Sequence, residues 1–180
     1  MTSWRTRSSD VVFDNPWIRV RQDAVDRPDG TPGTYGVVEL RHPAVFVVPV
    51  TDDDEVVMVE VDRYTVGSSL EVPAGGSDGE DLLEAARREL REETGLVADS
   101  WQRVGSMMAL NGVCRAPEHV FLARGLRTDP RPVEQAEEGI TAVRRVPWSQ
   151  VVAMVADGTI TDGETVAALM YAAIALGRVT

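Results

Sequence analysis

Between Ser77 and Leu96 the chain spaces its apolar and acidic residues at the period of an α-helix. At about 100° per residue, Leu82, Leu83, Ala86 and Leu90 form one stripe, while Arg87, Arg88 and Arg91 fall mostly away from it. Glu89 and Glu93 fall on or beside the edge of that stripe, and Glu92 lies a little further out. A merely solvated face would place these acids among the arginines. Like charges at i, i+3 and i+4 oppose each other by about 0.2–0.5 kcal/mol per pair. A carboxylate at the core boundary also needs a partner, because an unpaired buried charge is costly. A divalent cation would supply one, and so would a structural ion network; the spacing leaves both open. Mg2+ (or Mn2+) is a hard cation that takes carboxylate oxygens and waters and bridges phosphates. Pairs of Arg88 with Glu84 and Glu92 at i,i+4 account for Glu84 without any metal.

The ends of this segment carry their own signals. Ser77 followed by Glu80 has the pattern of a capping box. Gly95 stands where a left-handed residue closes a helix. Together they predict a helix over Asp78–Thr94. Ahead of it, Glu71-Val72-Pro73-Ala74-Gly75-Gly76 reads as a strand entering a tight glycine loop. A loop of that kind lets main-chain groups come close to a metal or a phosphate.

The stretch from Glu71 to Leu96 resembles the Nudix box, whose usual pattern is G-x5-E-x7-R-E-U-x-E-E-x-G-U with U aliphatic. Glu80, Arg88, Glu89, Leu90, Glu92, Glu93, Gly95 and Leu96 match it. The chain departs at one place: four residues, not five, separate Gly75 from Glu80, and the fifth position back is Ala74. The resemblance implies Glu89, Glu92 and Glu93 as metal ligands, with the main-chain carbonyl near Ala74 as a further one. It assigns Glu80, Arg88 and Gly95 to the structure of the motif. Weaker similarity extends over most of the chain. Val59–Gly67 with Glu71-Val72-Pro73-Ala74-Gly75, and Gly158–Asp162 with the helix after them, look like the ADP-ribose pyrophosphatase branch. That branch often has Gln-Tyr-Arg where this chain has Arg63-Tyr64-Thr65, so Arg63 is expected to substitute for the missing arginine. The resemblance implies a pyrophosphohydrolase acting on phosphoric anhydride bonds, on a mixed-sheet α/β/α sandwich. It also implies a homodimer formed through the N-terminal strands.

With 180 residues the chain is long enough for one domain with a small extension, and 43% hydrophobic residues suffice for a sizeable core. No apolar run is long enough to span a membrane as a helix. The start, Met1-Thr2-Ser3-Trp4-Arg5, lacks the apolar stretch of a secretory signal. Cys114 is the single cysteine, which excludes an intrachain disulfide and fits a reducing cytoplasm. It is read as a packing residue rather than a nucleophile. The net charge of −11 argues against non-specific nucleic-acid binding. All basic residues are arginine.

Strands are expected at Val11–Asp14 and Trp17–Ala24, broken by Asn15-Pro16, then at Thr34–Leu40, Ala44–Val50 and Val56–Val61. Further strands are expected near Trp101–Met108, Val120–Arg124 and Ile140–Val146, with helices over Ser149–Ala156 and Glu164–Leu176. Asp157-Gly158 is expected to end the first of these helices, and Thr161 with Glu164 to cap the second. The fold class is α/β (α+β): a mixed sheet between helices, with residues 1–40 as an N-terminal β extension and 41–180 as the hydrolase domain.

Diphosphate hydrolysis needs an activated water as well as metal. The acidic loop Pro132-Val133-Glu134-Gln135-Ala136-Glu137-Glu138-Gly139 corresponds to one that supplies a glutamate in the similar pyrophosphatases. Glu138 and Glu137 are the candidate bases, alongside Glu93 in the catalytic set, and Glu118 is a weaker candidate. His119 and His42 are read as satisfying local hydrogen bonds. Arg63, Glu71, Trp17 and Tyr35 are candidate substrate contacts, the two aromatics by stacking on a base. The expected substrate is a small nucleoside diphosphate linked to another moiety, with ADP-ribose giving AMP and ribose 5-phosphate. A hydrolase of another diphosphate, or a non-catalytic sensing module on the same fold, stays open because the box recognises metal and diphosphate rather than the flanking groups.

Overall fold

The computed structural model describes residues 3–131, 133 and 135–179. Its elements run β1 Arg5–Asp14, β2 Ile18–Asp26, β3 Pro32–Leu40, β4 Ala44–Pro49, β5 Glu55–Arg63, β6 Gly67–Glu71, β7 Ala74–Gly76 and α1 Leu82–Thr94. They continue β8 Leu96–Met108, β9 Cys114–Arg115, β10 Pro117–Thr128, β11 Ile140–Pro147, α2 Trp148–Ala156 and α3 Gly163–Ala175.

The chain forms two compact units: residues up to Pro43 with Met108–Pro117, and Ala44–Met107 with the rest from Glu118. In the first, β1, β2 and β3 form an antiparallel meander to which the short β9 adds in parallel. Asn15 makes the turn between β1 and β2: its Oδ1 accepts the backbone N–H groups of Trp17 and Ile18. All of β1 is exposed, so it is an edge strand with one neighbour.

The second unit is built on the sheet β7-β4-β10-β8 and the antiparallel sheet β11-β5-β6. The central pair, β4 and β10, is parallel, and where it is buried on both faces it reads as the apolar runs of residues 45–48 and 120–123. Alternation divides their side chains. Val45 and Val47, with Phe121 and Ala123, pack against Ala85, Ala86 and Leu90 of α1. Phe46 and Val48, with Val120 and Leu122, pack against Trp148 and Val151 of α2 and Ala168, Leu169 and Ala172 of α3. One helix lies on one face and two on the other, giving the expected mixed sheet between helices.

Two helix starts differ from the sequence expectation. Ser77 does not cap α1; Asp81 does, its carboxylate accepting from Leu83 N at 2.9 Å and Glu84 N at 3.4 Å. The reason is local. Asp78 and Gly79 have φ of 50° and 86°, so the chain turns out of helical conformation after Ser77 and restarts at Leu82. Likewise Asp162, not Thr161, caps α3, accepting from Thr165 N at 2.7 Å. Gly95, at φ 70°, closes α1 as expected and leads directly into β8. Among the described residues no helix is long and apolar enough to cross a membrane.

Candidate active site

The apolar stripe of α1 places the acids. With Leu90 fully buried against β4 and β10, Glu89 and Glu93 are carried to the rim of the core and are only 6% and 4% exposed. Glu93 Oε2 accepts the backbone N–H of Ala74 at 3.1 Å. Glu89 Oε1 accepts from Arg88 Nη1 at 2.8 Å. The main chain passes so close to Glu89 that a Cβ on Gly75 would stand 2.2 Å from its Oε1.

Burial first, and then the charges of neighbouring acids, disfavour the charged forms. Glu93 is pushed up to about 8 by burial and by the charge of Glu89. Glu89 is pushed up to about 7 by burial, against the pull of Arg88. Glu138 adds to both shifts, whereas Glu137 is not among the main contributors to either. Both loop glutamates are exposed, and Pro132 and Glu134 of that acidic loop lie outside the described residues. Gln135 anchors the segment by donating from Nε2 to Glu93 O at 2.8 Å.

Glu92 is arranged differently. It pairs with Arg88 at 3.2 Å and with Arg91, so both of its oxygens face guanidinium groups. Among the described residues no three acidic, histidine or cysteine side chains already converge as a metal cage. Arg88 serves only one oxygen of Glu89, and Glu93 has the Ala74 N–H but no ion pair among the described residues, so burial still outweighs the positive charge at the pair. The pair's donors are hard carboxylate oxygens, and a divalent cation with oxygen preference fits that need. Recruitment of Glu92 would require it to leave its arginines.

Arg88 holds the corner where the loop meets the helix. Its Nε donates to Glu80 Oε2 at 3.1 Å and its Nη2 to Gly76 O at 2.8 Å, while Nη1 serves Glu89 and Glu92. Glu84 does not pair with Arg88 as the i,i+4 spacing suggested; it takes Arg87 at i,i+3 and 2.7 Å, because Arg88 is turned inward onto these four acceptors.

Arg63 ends β5 opposite Gly67, and its long side chain reaches back along the hairpin to Glu71 at the far end of β6, where the two form a forked pair of 2.6, 3.2 and 3.3 Å. Glu71 is buried, and the Arg63 guanidinium also lies in the fields of Glu93 and Asp162. Trp17 and Tyr35 belong to the first unit: Trp17 is 73% exposed, and Tyr35 donates its hydroxyl to Gly112 O and takes Trp4 edge-on at 5.4 Å.

The tie made by Thr165 went unread in the sequence, and so did the burial of Glu118, which the sequence marks only as a weaker candidate base. Thr165, fully buried, accepts Val72 N at 3.1 Å and ties α3 to the strand end before β7. Glu118 is 4% exposed, and its Oε2 has no partner. Burial, then the charges of Glu164 and Asp162, push it up to about 7. Alternation held the clue: Glu118 precedes Val120 and Leu122 at the same period of two, on the α3 side of β10.

The NUDIX domain family model matches residues 40–169, and the model of the nucleoside diphosphate sugar hydrolase N-terminal domain matches residues 4–38. An ADP-ribose pyrophosphatase of Mycobacterium tuberculosis is 34% identical over 170 residues, covering 93% of this chain and 82% of its own. A methanol dehydrogenase activator of Bacillus methanolicus is 28% identical over 170 residues, covering 93% and 91%. A crystal structure of an ADP compounds hydrolase superposes with a TM-score of 0.85 over 99% of this chain and 98% of its own; at 20% identity it speaks for the fold alone. Taken with the box residues, which run from Glu80 before α1 to Gly95 at its end, these matches show that the chain belongs to the NUDIX family, as a pyrophosphohydrolase of the branch that includes the ADP-ribose pyrophosphatases.

Proposed function

We propose that the chain is a metal-dependent hydrolase of nucleoside diphosphate sugars, with ADP-ribose the leading substrate. The observation that carries this is the buried pair Glu89–Glu93, both held above the ordinary carboxylate range, with the charge of Glu138 reaching both. In this reading Glu89 and Glu93, joined by Glu92 and the Ala74 carbonyl, hold Mg2+ (or Mn2+). The cation, when bound, supplies a Lewis acid for the phosphoryl oxygens and neutralises the developing charge.

The remaining steps belong to side chains. Glu138 accepts a proton from the water that attacks a phosphorus of the diphosphate. The P–O bond to the bridging oxygen breaks, and ADP-ribose yields AMP and ribose 5-phosphate. Arg63, pre-oriented by Glu71, turns its free edge to the diphosphate oxygens. Glu80, Arg88 and Gly95 shape the loop and helix. Trp17 and Tyr35 offer faces for the nucleobase, and two chains pair through the exposed edge of residues 1–40, where Val11, Val12 and Phe13 are exposed.

The test is a panel of ADP-ribose, other nucleoside diphosphate sugars, dinucleotides and an oxidised nucleoside triphosphate, each with Mg2+ or Mn2+. Released phosphomonoester is the readout, and light scattering gives the assembly mass. Fastest turnover of ADP-ribose supports the reading; tight binding of every compound without turnover of any overturns it in favour of a sensing module.

A further inference from the structure

A cleft of about 460 Å³ opens on the outer flank of α1, lined from the helix, from β8 and from Arg131 beyond β10. Glu89, Glu93, Arg63 and Glu138 do not line it; Arg88 and Glu92 are the wall it shares with the site above. Four arginines meet there against three glutamates, a positive excess on a chain of net charge −11.

The arginines are not equivalent. Arg88 is committed to its four acceptors, and Arg91, at 16% side-chain exposure, is committed to Glu92. Arg87 and Arg131 stay 49% and 62% exposed. Arg87 holds Glu84, itself 60% exposed, in a surface pair of the kind worth little, so an anion can displace it and return Glu84 to water. Arg131 is braced by Asp129, which accepts from Nε at 2.9 Å and from Nη2 at 2.6 Å, leaving the other edge of a pre-oriented guanidinium free. Trp101 also lines the cleft. Its Nε1 donates to Ala98 O at 3.1 Å, so the polar edge is satisfied inside the chain and the ring offers carbon surface. Two available guanidinium groups suit a phosphate dianion, an indole suits a flat base, and the volume suits a mononucleotide rather than a dinucleotide.

We propose that this cleft is a second binding site for a nucleoside monophosphate, beside the metal-holding acids and sharing with them only the wall of Arg88 and Glu92: phosphate between Arg87 and Arg131, base against Trp101. The site does not depend on the substrate reading above.

The experiment is calorimetric titration of the full chain in excess EDTA, so that no metal-held phosphate contributes, with AMP, ribose 5-phosphate and inorganic phosphate as probes. The 15N-indole resonance of Trp101, identified by Trp101→Phe, is followed in parallel. The expected result is saturable AMP binding, tighter than ribose 5-phosphate, with a shift of that resonance. Binding is expected to weaken at least about tenfold in Arg87→Gln/Arg131→Gln and to persist in Glu93→Gln. Both arginines are exposed, and circular dichroism verifies that the double variant folds. No saturation by about 10 mM, unchanged affinity in the double variant, loss of binding in Glu93→Gln, or AMP binding no tighter than ribose 5-phosphate overturns the proposal.

Discussion

Glu93 Oε2 accepts the backbone N–H of Ala74 at 3.1 Å, so the last turn of α1 and the first residue of β7 are joined through a carboxylate. The bond fixes the orientation of an acid that burial makes reluctant to ionise, and it brings the Ala74 peptide beside the acid. Much of the behaviour expected of this site follows from that one contact.

Metal-free protein should lose stability as pH rises. Glu93 and Glu89 have folded values of about 8 and about 7, above their ordinary value of 4.5. A raised carboxyl contributes stability that is fully present below the ordinary value and is lost as pH climbs through the folded one. In EDTA, the unfolding free energy should therefore fall between about pH 5 and pH 8, by an amount on the order of several kcal/mol, and level off above that. Glu93→Gln should flatten this fall, and Mg2+ should reverse it, since metal takes the ionised form. In the presence of Mg2+ the same variant should lose about a hundredfold or more in turnover.

Gly75→Ala should fold yet disable the site. The added Cβ would stand 2.2 Å from Glu89 Oε1, and the movable end of that side chain can swing away. Calorimetry with Mn2+ should show weakened binding while the unfolding midpoint in urea barely changes. Unaltered Mn2+ affinity would remove Glu89 from the ligand set.

The two loop glutamates should separate kinetically. Glu138→Gln is expected to reduce kcat by about 10²–10⁴-fold with little change in KM, the range for loss of a positioned base. Glu137→Gln should stay within a few-fold. Equal effects would show that neither is the base.

Glu118→Gln should stabilise the chain, but only at neutral pH and above. The Glu118 carboxyl, raised to about 7, contributes stability at low pH that is lost as pH rises through that value. An uncharged isostere escapes the loss, so the variant should gain about 1–2 kcal/mol near pH 8 and nothing near pH 5 by denaturant titration.

Asp81→Ala should cost about 0.5–2 kcal/mol, because Leu83 N and Glu84 N lose their acceptor at the first turn of α1. Urea unfolding measures this, and no loss at all would return the cap to Ser77.

The layers and the acid-bearing helix were legible in the order of residues. The apolar runs of β4 and β10 and the stripe through Leu82, Ala86 and Leu90 are periodic, and period is a local property that dictates which faces are buried. Gly95 was legible for the same reason, since a left-handed cap follows from one residue's steric freedom. The tertiary structure alone decided where each polar group ends. Asp81 rather than Ser77 caps α1, because Asp78 and Gly79 turn the chain. Arg63 meets Glu71 only because β5 and β6 pair as a hairpin, along which the arginine reaches from its place opposite Gly67. Glu118 is buried near Glu164 and Asp162 only because α3 packs on that face of the sheet. A partner for a charge is set by distance through space, and spacing along a chain does not contain it.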